Sequence, residues 1–488
     1  MNRKIKALSL SMIVTALLLT ACGSSVEAAS ASSKGLTNSQ VVGSVSNDAV
    51  KPESITIMVD GTLVTQENGR DEFEKRWEAL TGIDLIIIQP EHDVYYEEVS
   101  KAFEEGNLPD VVLLSSTYYT TYAAQEMLAD ITPYYSGSEL EKRVSDAGKS
   151  ALIDGLKING KLFGISPTRG NGCVTYIKKA WLDNVGLDVP TNYAEYLDVL
   201  KAFTEGDPDG DGVNGNTYGV SAAGIINNEA PYINYLPEFY QDAYPSFYQK
   251  EDGTWADGFT EEAMKEALTR LRDAYSKGYI DKDIVDNGTG DCRDKFYANE
   301  YGIFTYWAGT WAKTLSGKLI DAGVDGELVT MPPIEETGNY LERVAPVWCI
   351  TSVCDNPSGV YKYFLETMND GGEVEELWTY SPISDSYAKN HIDHLLATVA
   401  LTNDPGADSI TEEQANALKI FNDNSKMADL PYSTDAYSTY NEELMGLKKE
   451  LIKKVVVEGA DIETSFAEFE AANGAYMSQA IVDSLNAE

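Results

Sequence analysis

The segment DPDGDGVNGNTYG, residues 207–219, carries acidic residues at the spacing of a calcium-binding loop. An EF-hand loop supplies oxygen ligands from positions one, three, five and nine, a backbone carbonyl at seven and a bidentate acid at twelve, with glycine at six. Asp207, Asp209 and Asp211 occupy positions one, three and five, and a glycine follows at six. Val213 offers its carbonyl at seven. These four residues are therefore predicted metal ligands.

The end of the same segment departs from the EF-hand pattern. Position nine is glycine and position twelve is Tyr218, so no bidentate carboxylate closes the loop, although Asn216 at position ten offers a neutral oxygen. The alternative interpretation is a plain polar turn, because Asp-Pro and Asn-Gly pairs favour turns. Three neighbouring aspartates repel one another without a cation. We therefore predict that Asn216 is the remaining metal ligand and that a structural Ca²⁺ holds the loop in place.

Aromatic and planar polar side chains are the second group that could do chemistry. The sequence has thirty Tyr and seven Trp. A sugar presents C–H faces that pack on aromatic rings, and hydroxyls that bond to Asp, Asn and Arg. Motifs of enzymes are missing from the sequence: there is no G-x-S-x-G, H-E-x-x-H or G-x-x-x-x-G-K-[ST]. These features favour a binding protein over an enzyme, although carboxylate pairs are abundant enough that a secreted glycosidase stays as an alternative.

Residues 1–21 have the composition of a secretory signal peptide. MNRKIK is basic, ALSLSMIVTALLL is apolar and LTAC closes the segment at Cys22, which is the order of parts in such a peptide. The LTAC junction resembles a bacterial lipobox, which implies acylation of Cys22, with palmitate for example, and a lipid anchor in the cell membrane. Residues 22–52 lack aromatic side chains and predict a flexible linker. We expect the folded part on the extracellular face of the membrane.

The chain is strongly acidic, with a formal net charge of −41 over 488 residues. Like charges repel over a Debye length, so the balance disfavours nucleic acid as a partner and suits attraction of cations. Besides Cys22, the sequence has Cys173, Cys292, Cys349 and Cys354. Cys349 and Cys354 are close enough in sequence to pair, but we favour buried thiols, since a disulfide scaffold would be denser in cysteine.

Strands alternate with helices in the first part of the folded body. ESITIMV (53–59), IDLIII (83–88) and PDVVLLSS (109–116) are apolar and β-branched, and helical periodicity covers 71–82, 94–106 and 122–134. This alternation predicts an α/β fold with a parallel sheet covered on both faces. Ligands bind outside the carboxyl ends of such strands. The rule singles out Asp60 and the segment from Ser115 to Tyr119.

Four segments in order resemble the maltose-binding-like group of extracellular solute-binding lipoproteins, the receptors of ABC importers. They are EKRWEALTGIDLIII, LPDVVLLSSTYYTTYAAQEMLADITPY, NGKLFGISPTRGNGCVTYIKKAWLDNVGLDVPTNYAEYLDVLKAF and YANEYGIFTYWAGTWAKTL, all within residues 53–365. The resemblance implies a two-lobed, periplasmic-binding-protein-like α/β fold with a hinge and an interlobe cleft. Residues 53–167 plus 346–400 would form the N-terminal lobe, and residues 168–345 plus 401–488 the C-terminal lobe.

The resemblance also implies where the ligand is held. The chain would cross between lobes near Ser166–Arg169, near Val344–Pro346 and again near residue 400. Side chains at these crossings and after the strands would face the cleft, and the predicted contacts are Asp60, Tyr118, Tyr119, Arg169, Asn171, Trp307, Trp311 and Trp348. The alternative for each aromatic residue is burial in the core. For Arg169 the alternative is an ion pair across the hinge.

Together these observations predict a monomeric lipoprotein that captures a sugar or oligosaccharide and delivers it to the permease subunits of an ABC transporter. It would have no catalytic residues. A surface glycan-binding or sensor protein without transport would share the same cleft and stays open as an alternative.

Overall fold

In the computed structural model of the chain, the described residues are 49–60, 70–91, 94–166, 171–226, 232, 234–343, 346–379 and 411–487. The signal peptide, Cys22, most of the linker, Arg169 and the crossing near residue 400 lie outside them. Within the described residues, no helix combines the length and the apolar character needed to span a membrane.

Thirteen strands are present in the described part of the chain. They are β1 (Ser54–Met58), β2 (Asp84–Ile88), β3 (Val111–Leu114), β4 (Gly164–Ile165), β5 (Asn171–Lys178), β6 (Tyr218–Val220), β7 (Phe247–Gln249), β8 (Trp255–Asp257), β9 (Tyr301–Trp307), β10 (Leu328–Met331), β11 (Tyr340–Arg343), β12 (Val347–Ile350) and β13 (Ser425–Met427).

The α-helices of the described residues surround these strands. They are α1 (Arg70–Thr81), α2 (Tyr95–Glu105), α3 (Ser116–Ala124), α4 (Thr132–Tyr135), α5 (Glu139–Asp146), α6 (Ser150–Asp154), α7 (Lys179–Val185), α8 (Tyr193–Glu205), α9 (Pro237–Tyr240), α10 (Glu262–Ser276), α11 (Thr289–Tyr297), α12 (Thr310–Asp321), α13 (Pro357–Val360), α14 (Glu373–Thr379), α15 (Glu412–Asn424), α16 (Asp435–Val456), α17 (Ile462–Ala471) and α18 (Gly474–Ala487).

The first sheet has the order β2-β1-β3-β12-β4. β1 is parallel to β2 and β3, while β12 is antiparallel to β3 and β4. The three strands predicted over 53–116 and the helices over 71–82 and 94–106 are confirmed within a few residues. The helix predicted over 122–134 is wrong. A helix instead begins directly after β3 and ends at Ala124, where the left-handed backbone of Glu126 (φ 57°) breaks it.

The second sheet has the order β13-β11-β5-β9-β6, with β10 paired to the outer part of β5. β5 is antiparallel to β9, β10 and β11, whereas β6 is parallel to β9 and β13 is parallel to β11. β9, β11 and β13 therefore end at the same edge of the sheet. Two sheets with helical connections confirm the α/β fold class.

The chain passes between the two sheets at two described places. It leaves the first sheet after Ile165 and enters the second at Asn171, and it returns between Arg343 and Val347. The Ser166 hydroxyl donates to the carbonyl of Pro346 at 3.3 Å, so the two crossings lie side by side. The residue boundaries of the two lobes remain a prediction.

None of the four described cysteines forms a disulfide. Cys173, Cys292 and Cys349 are buried and Cys354 is half-buried. The interpretation as buried thiols is therefore confirmed for the first three, and Cys349 does not pair with Cys354. Burial raises the pKa of the Cys354 thiol to about 12, so this thiol stays protonated and a weak nucleophile at neutral pH.

Glu238 is a buried carboxyl behind the second sheet, on α9. It is 1% exposed. One of its oxygens accepts from the Thr175 hydroxyl at 2.7 Å, and its Oε2 has no hydrogen-bond partner among the described residues. Burial raises its pKa from 4.5 to about 7. Because the folded state holds this proton more tightly than the unfolded state, stability falls as the pH rises from about 4.5 to about 7.

We expect Glu238→Gln to raise the free energy of unfolding by about 3 kcal/mol at pH 8 and to change it little at pH 4.5. The amide cannot ionise, so it removes the cost of deprotonating a buried acid. Urea unfolding at both pH values measures the difference, with Glu413→Gln on the exposed face of α15 as the control. Equal effects of Glu238→Gln at the two pH values would contradict this account.

Candidate ligand-binding cleft

Both sheets direct the carboxyl ends of several strands towards the crossings. At the end of β3, Leu114 pairs with Val347, the first residue of β12 after the return crossing. At the end of β11, Arg343 pairs with Asn171, the first residue of β5 after the outward crossing. Trp307, which ends β9, lies beside them through its partner Cys173. Side chains that follow these strands therefore gather at one cleft.

Two tyrosines form an aromatic platform on the first-sheet side of the cleft. Tyr96 on α2 stacks on Tyr118 on α3, with ring centroids 4.5 Å apart and planes 11° from parallel. Both rings are half-buried, so part of each remains available. Tyr118 lies in the first turn of a helix, because α3 begins directly after β3.

Charges from both sheets act on this platform. Burial raises the pKa of Tyr96, hydrogen bonding at Ser115 lowers it, the negative charge of Asp60 raises it and the positive charge of Arg343 lowers it. Asp60 follows β1 of the first sheet, and Arg343 ends β11 of the second. The charges of an acid and a guanidinium from different sheets therefore both act on the pKa of Tyr96.

Trp307 adds an aromatic ring from the second sheet. The Arg343 guanidinium lies over it, with 4.7 Å from the guanidinium carbon to the ring centroid. The backbone carbonyl of Trp307 accepts from the Tyr176 hydroxyl at 2.9 Å, which fixes the end of β9. The indole is half-buried. We call Asp60, Tyr96, Tyr118, Trp307 and Arg343 the cleft cluster.

Trp311 belongs to a neighbouring aromatic group on α12. Its ring meets Tyr306 edge-on at 4.9 Å between centroids, and the Arg293 guanidinium lies 5.0 Å from its centroid. The side chain is half-buried. Its contact with a ligand remains a prediction. The same holds for Asn171, whose backbone lies in β5, and for Arg169, which lies outside the described residues.

Two predicted contacts are wrong because their side chains lie in the core. Tyr119 is 0% exposed, and its hydroxyl donates to the carbonyl of Leu156 at 2.6 Å. Trp348 is 1% exposed and packs against Phe364 and Trp378 at 5.4 and 5.8 Å between centroids. Both residues stabilise the first-sheet half. Trp348 sits on a strand with neighbours on both sides, and Tyr119 points inwards from α3 while Tyr118 points out.

Sequence reasoning missed Tyr96 and Arg343. Each carried a usable signal. Arg343 directly precedes the predicted return crossing, and Tyr96 follows Tyr95 at the start of a helix predicted next to the cleft edge. Basic residues are fewer than acidic ones in this sequence, so an arginine next to a crossing is more informative than an aspartate there. Arg343 could therefore have been chosen as a cleft residue from its position alone.

The acidic loop forms a compact group of carboxylates after α8. Asp207, Asp209 and Asp211 each offer an oxygen within 4.8 Å of the others. Oδ1 of Asp207 and Oδ1 of Asp209 are buried without a hydrogen-bond partner among the described residues. Burial, and then the charge of Asp211, raise the pKa of Asp209. Two buried carboxylate oxygens lacking donors fit the oxygen ligands of a hard cation.

The backbone of this loop is shaped around its carboxylates. The amide of Gly212 donates to Asp207 at 3.0 Å, and the amide of Val213 donates to Asp211 at 2.7 Å. Asn216 donates its side-chain amide to Asp211 at 2.9 Å. Gly212 has φ 85°, a left-handed conformation that a side chain rarely adopts. The predicted ligands Asp207, Asp209, Asp211 and Asn216 therefore lie together, and Val213 lies in the same turn.

Residues 70–392, more than half of the chain, match the family model described as bacterial extracellular solute-binding protein. The chain is similar to the lipoprotein LipO of Bacillus subtilis (strain 168), with 26% identity over 51% of this chain and 49% of LipO. It is also similar to the polygalacturonan/rhamnogalacturonan-binding protein YtcQ of the same strain, with 27% identity over 50% of this chain and 48% of YtcQ. The matched part thus spans about half the length of these relatives.

Solved structures share the fold at low sequence identity. The alginate-binding protein AlgQ2, solved without calcium ion, aligns with a TM-score of 0.61 at 17% identity over 89% of this chain and 98% of its own. The Streptococcus pneumoniae FusA EF-hand mutant in complex with fructo-nystose aligns at 0.59 and 14% identity, over 88% and 98%. The sugar-binding protein MalE of Xanthomonas citri gives 0.59, with 15% identity over 88% and 97%. The fold is thus periplasmic-binding-protein-like, with two lobes, a hinge and an interlobe cleft. From its fold and the family match, the chain belongs to the bacterial extracellular solute-binding protein family.

Proposed function

We propose that this chain is the substrate-binding lipoprotein of an ABC transporter and captures a sugar or oligosaccharide between its two sheets. The observation that carries the proposal is the cleft cluster. Its rings suit the C–H faces of a sugar, and Asp60 and Arg343 suit its hydroxyls. Closing the lobes about the crossings would bring these groups onto the ligand from both sides. The permease would then receive the sugar from the closed form.

Relatives support a carbohydrate as the ligand class. YtcQ is named for binding polygalacturonan and rhamnogalacturonan. FusA is named as a fructooligosaccharide ABC transporter substrate-binding protein and is 25% identical over 28% of this chain and 25% of its own length. LipO is named a lipoprotein, which supports acylation of Cys22 and a place on the outer face of the cell membrane for this chain.

A thermal-shift screen of the soluble folded part tests the proposed function. Diverse mono- and oligosaccharides form one panel, and a peptide library forms the other. A ligand that binds only the native state stabilises it by about 2.7 kcal/mol at a concentration of a hundred times Kd, and this stabilisation raises the melting temperature. We expect shifts with at least one sugar and no turnover of it. Shifts with peptides and none with any sugar would overturn the proposal.

We further propose a structural Ca²⁺ in the acidic loop, held by Asp207, Asp209, Asp211, Val213 and Asn216. The donor-less oxygens of Asp207 and Asp209 support it, as does the neighbour FusA, described as carrying an EF-hand. Bound cation would relieve the repulsion among the three carboxylates. Its role would be to hold the segment between α8 and β6, away from the cleft cluster.

We expect a calcium chelator to lower the melting temperature of the wild type by about 5 °C and to leave Asp209→Ala unchanged, because the variant has already lost the ion. Differential scanning calorimetry with and without added Ca²⁺ measures both. Asp188→Ala, an exposed aspartate before α8, is the matched control and should respond to the chelator like the wild type. If chelation and Asp209→Ala are both silent, the loop is only a turn.

A further inference from the structure

A cavity of about 600 Å³ lies between elements from the two halves of the chain. One wall is α6 with the turn at residues 155–160. The other wall is the β7–β8 hairpin with residues 427–432 and the end of α18. The walls nearly touch at one point, because a Cβ added to Gly155 would lie 3.5 Å from the Met427 side chain.

The cavity lies at the β13 edge of the second sheet, next to β11, the strand that ends at Arg343. Met427, which lines it, pairs with Glu342 in the neighbouring strand, and the amide of Ala428 donates to the Glu342 carbonyl at 2.9 Å. Arg343 is the next residue along that strand. Trp307 lies on β9, three strand spacings from β13, so a ligand stacked on it must extend by roughly 14 Å to reach the cavity.

The lining has the chemistry of a polyol site. Planar polar side chains from both walls surround the space: Asn159, Gln249, Asp252, Asp429 and Asn486. Asn486 accepts from the Trp255 amide at 2.7 Å and donates to the Trp255 carbonyl at 3.1 Å, which holds α18 against the hairpin. The backbone amide of Gln249 donates to the Asp429 carboxylate at 2.8 Å. These contacts hold the side chains of Asn486 and Asp429 in place before a ligand arrives.

The charge of the lining is negative. It contains Asp154, Asp252 and Asp429 against the single cation Lys157. Lys157 pairs with Asp154 at 2.7 Å, so its charge is already matched. Carboxylates accept hydrogen bonds from sugar hydroxyls, whereas they repel the carboxylates of uronic acids at close range.

We propose that this cavity holds the distal units of an extended, neutral oligosaccharide whose first units lie on the cleft cluster. The proposal rests on the proposed function and narrows it: the ligand is an uncharged chain of several sugars, in contrast to the polygalacturonan for which YtcQ is named. The volume lies within the range of about 300–1,000 Å³ that small-molecule sites occupy. The negative charge of the lining disfavours the binding of acidic oligosaccharides.

The test uses Ala151→Trp, which fills the cavity from an exposed position on α6 without changing a charge. Ala467→Trp, at an exposed position on α17 away from the cavity, is the matched control. Calorimetric titrations measure the affinity for gluco-, fructo- and xylo-oligosaccharides of each length from the monosaccharide to the hexasaccharide. Oligogalacturonides of the same lengths are titrated in parallel. The double variant Asp252→Asn with Asp429→Asn removes the negative charge and is titrated with both classes.

We expect wild-type affinity for one class of neutral oligosaccharide to rise with length by about tenfold or more, and oligogalacturonides to bind at least about tenfold more weakly. Ala151→Trp should remove the gain from length while keeping the affinity of the shortest sugar that binds, which also shows that it folds. The double variant should narrow the gap between neutral and acidic chains.

Length dependence that survives in Ala151→Trp, or oligogalacturonides that bind the wild type as tightly as neutral chains, would overturn this inference and leave the proposed function standing. Failure of the wild type to bind any sugar, neutral or acidic, would instead overturn the proposed function itself. The two failures are therefore distinguishable in one set of titrations.

Discussion

Replacing Trp307 with alanine is expected to weaken sugar binding by about a hundredfold, which corresponds to roughly 2.7 kcal/mol. The indole supplies the second-sheet ring of the cleft cluster, and it also supports the Arg343 guanidinium 4.7 Å from its centroid. Its loss removes a stacking surface and leaves Arg343 without its platform. Calorimetric titration with the sugar selected by the thermal-shift screen measures the effect.

Two further variants identify the cause of that loss. Arg343→Lys keeps the charge but loses the planar group that stacks on Trp307. Its affinity for the sugar should therefore lie between the affinities of the wild type and Trp307→Ala. Tyr476→Ala removes an aromatic ring that is 63% exposed on α18 and should bind like the wild type. Wild-type affinity in Trp307→Ala, with the fold intact, would place the sugar away from this residue.

Replacing Asp257 with alanine is expected to lower the free energy of unfolding by about 3–5 kcal/mol. Asp257 lies 2.7 Å from Lys448, which is 0% exposed. The other oxygen of Asp257 accepts from Ser478 at 2.8 Å. Removing the carboxylate leaves an ammonium between the rings of Phe247 and Phe259 with no counter-charge.

The stability that Asp257→Ala loses should depend on pH, because the pKa of Lys448 depends on its surroundings. Burial lowers its pKa, and the charge of Asp257 raises it. Without Asp257 the lysine must bury an unpaired charge or release its proton, so Asp257→Ala should be most unstable at low pH and recover part of the loss as the pH rises.

Urea unfolding across pH measures the Asp257→Ala effect, and the double variant Asp257→Leu with Lys448→Met is the control. Replacing both members of a buried pair with apolar groups is often nearly neutral, so the double variant should regain much of the stability. A single variant within about 1 kcal/mol of the wild type, or a double variant as unstable as the single one, would contradict the importance of the pair.

Local signals in the sequence were enough for most of the strands and helices predicted, the helix over 122–134 excepted. Asn192 caps α8, since its side chain accepts from the amide of Glu195 at 3.1 Å, and this pairing of residues three apart is readable in the sequence. β1, β2 and β3 were visible because buried parallel strands are continuous apolar runs. The acidic loop was visible because all its members lie within ten residues.

The cleft was harder to predict because its members are brought together by the fold. Tyr96 and Arg343 come from different sheets, and no periodicity in either segment reports that they meet. Tyr119 and Trp348 were wrong for a related reason: both directly adjoin the cleft edge in sequence, but side-chain direction on a helix or strand decides between core and cleft. Position in the sequence can indicate a segment but cannot indicate which face of it a side chain takes.

The position of the bound sugar decides whether the cleft cluster is the binding site. A crystal structure of the chain with the sugar selected by the thermal-shift screen would show it. We expect electron density for the sugar in contact with Trp307 and Arg343 from one side and with Tyr96 or Tyr118 from the other. Density at a site that none of these four residues touches would contradict it.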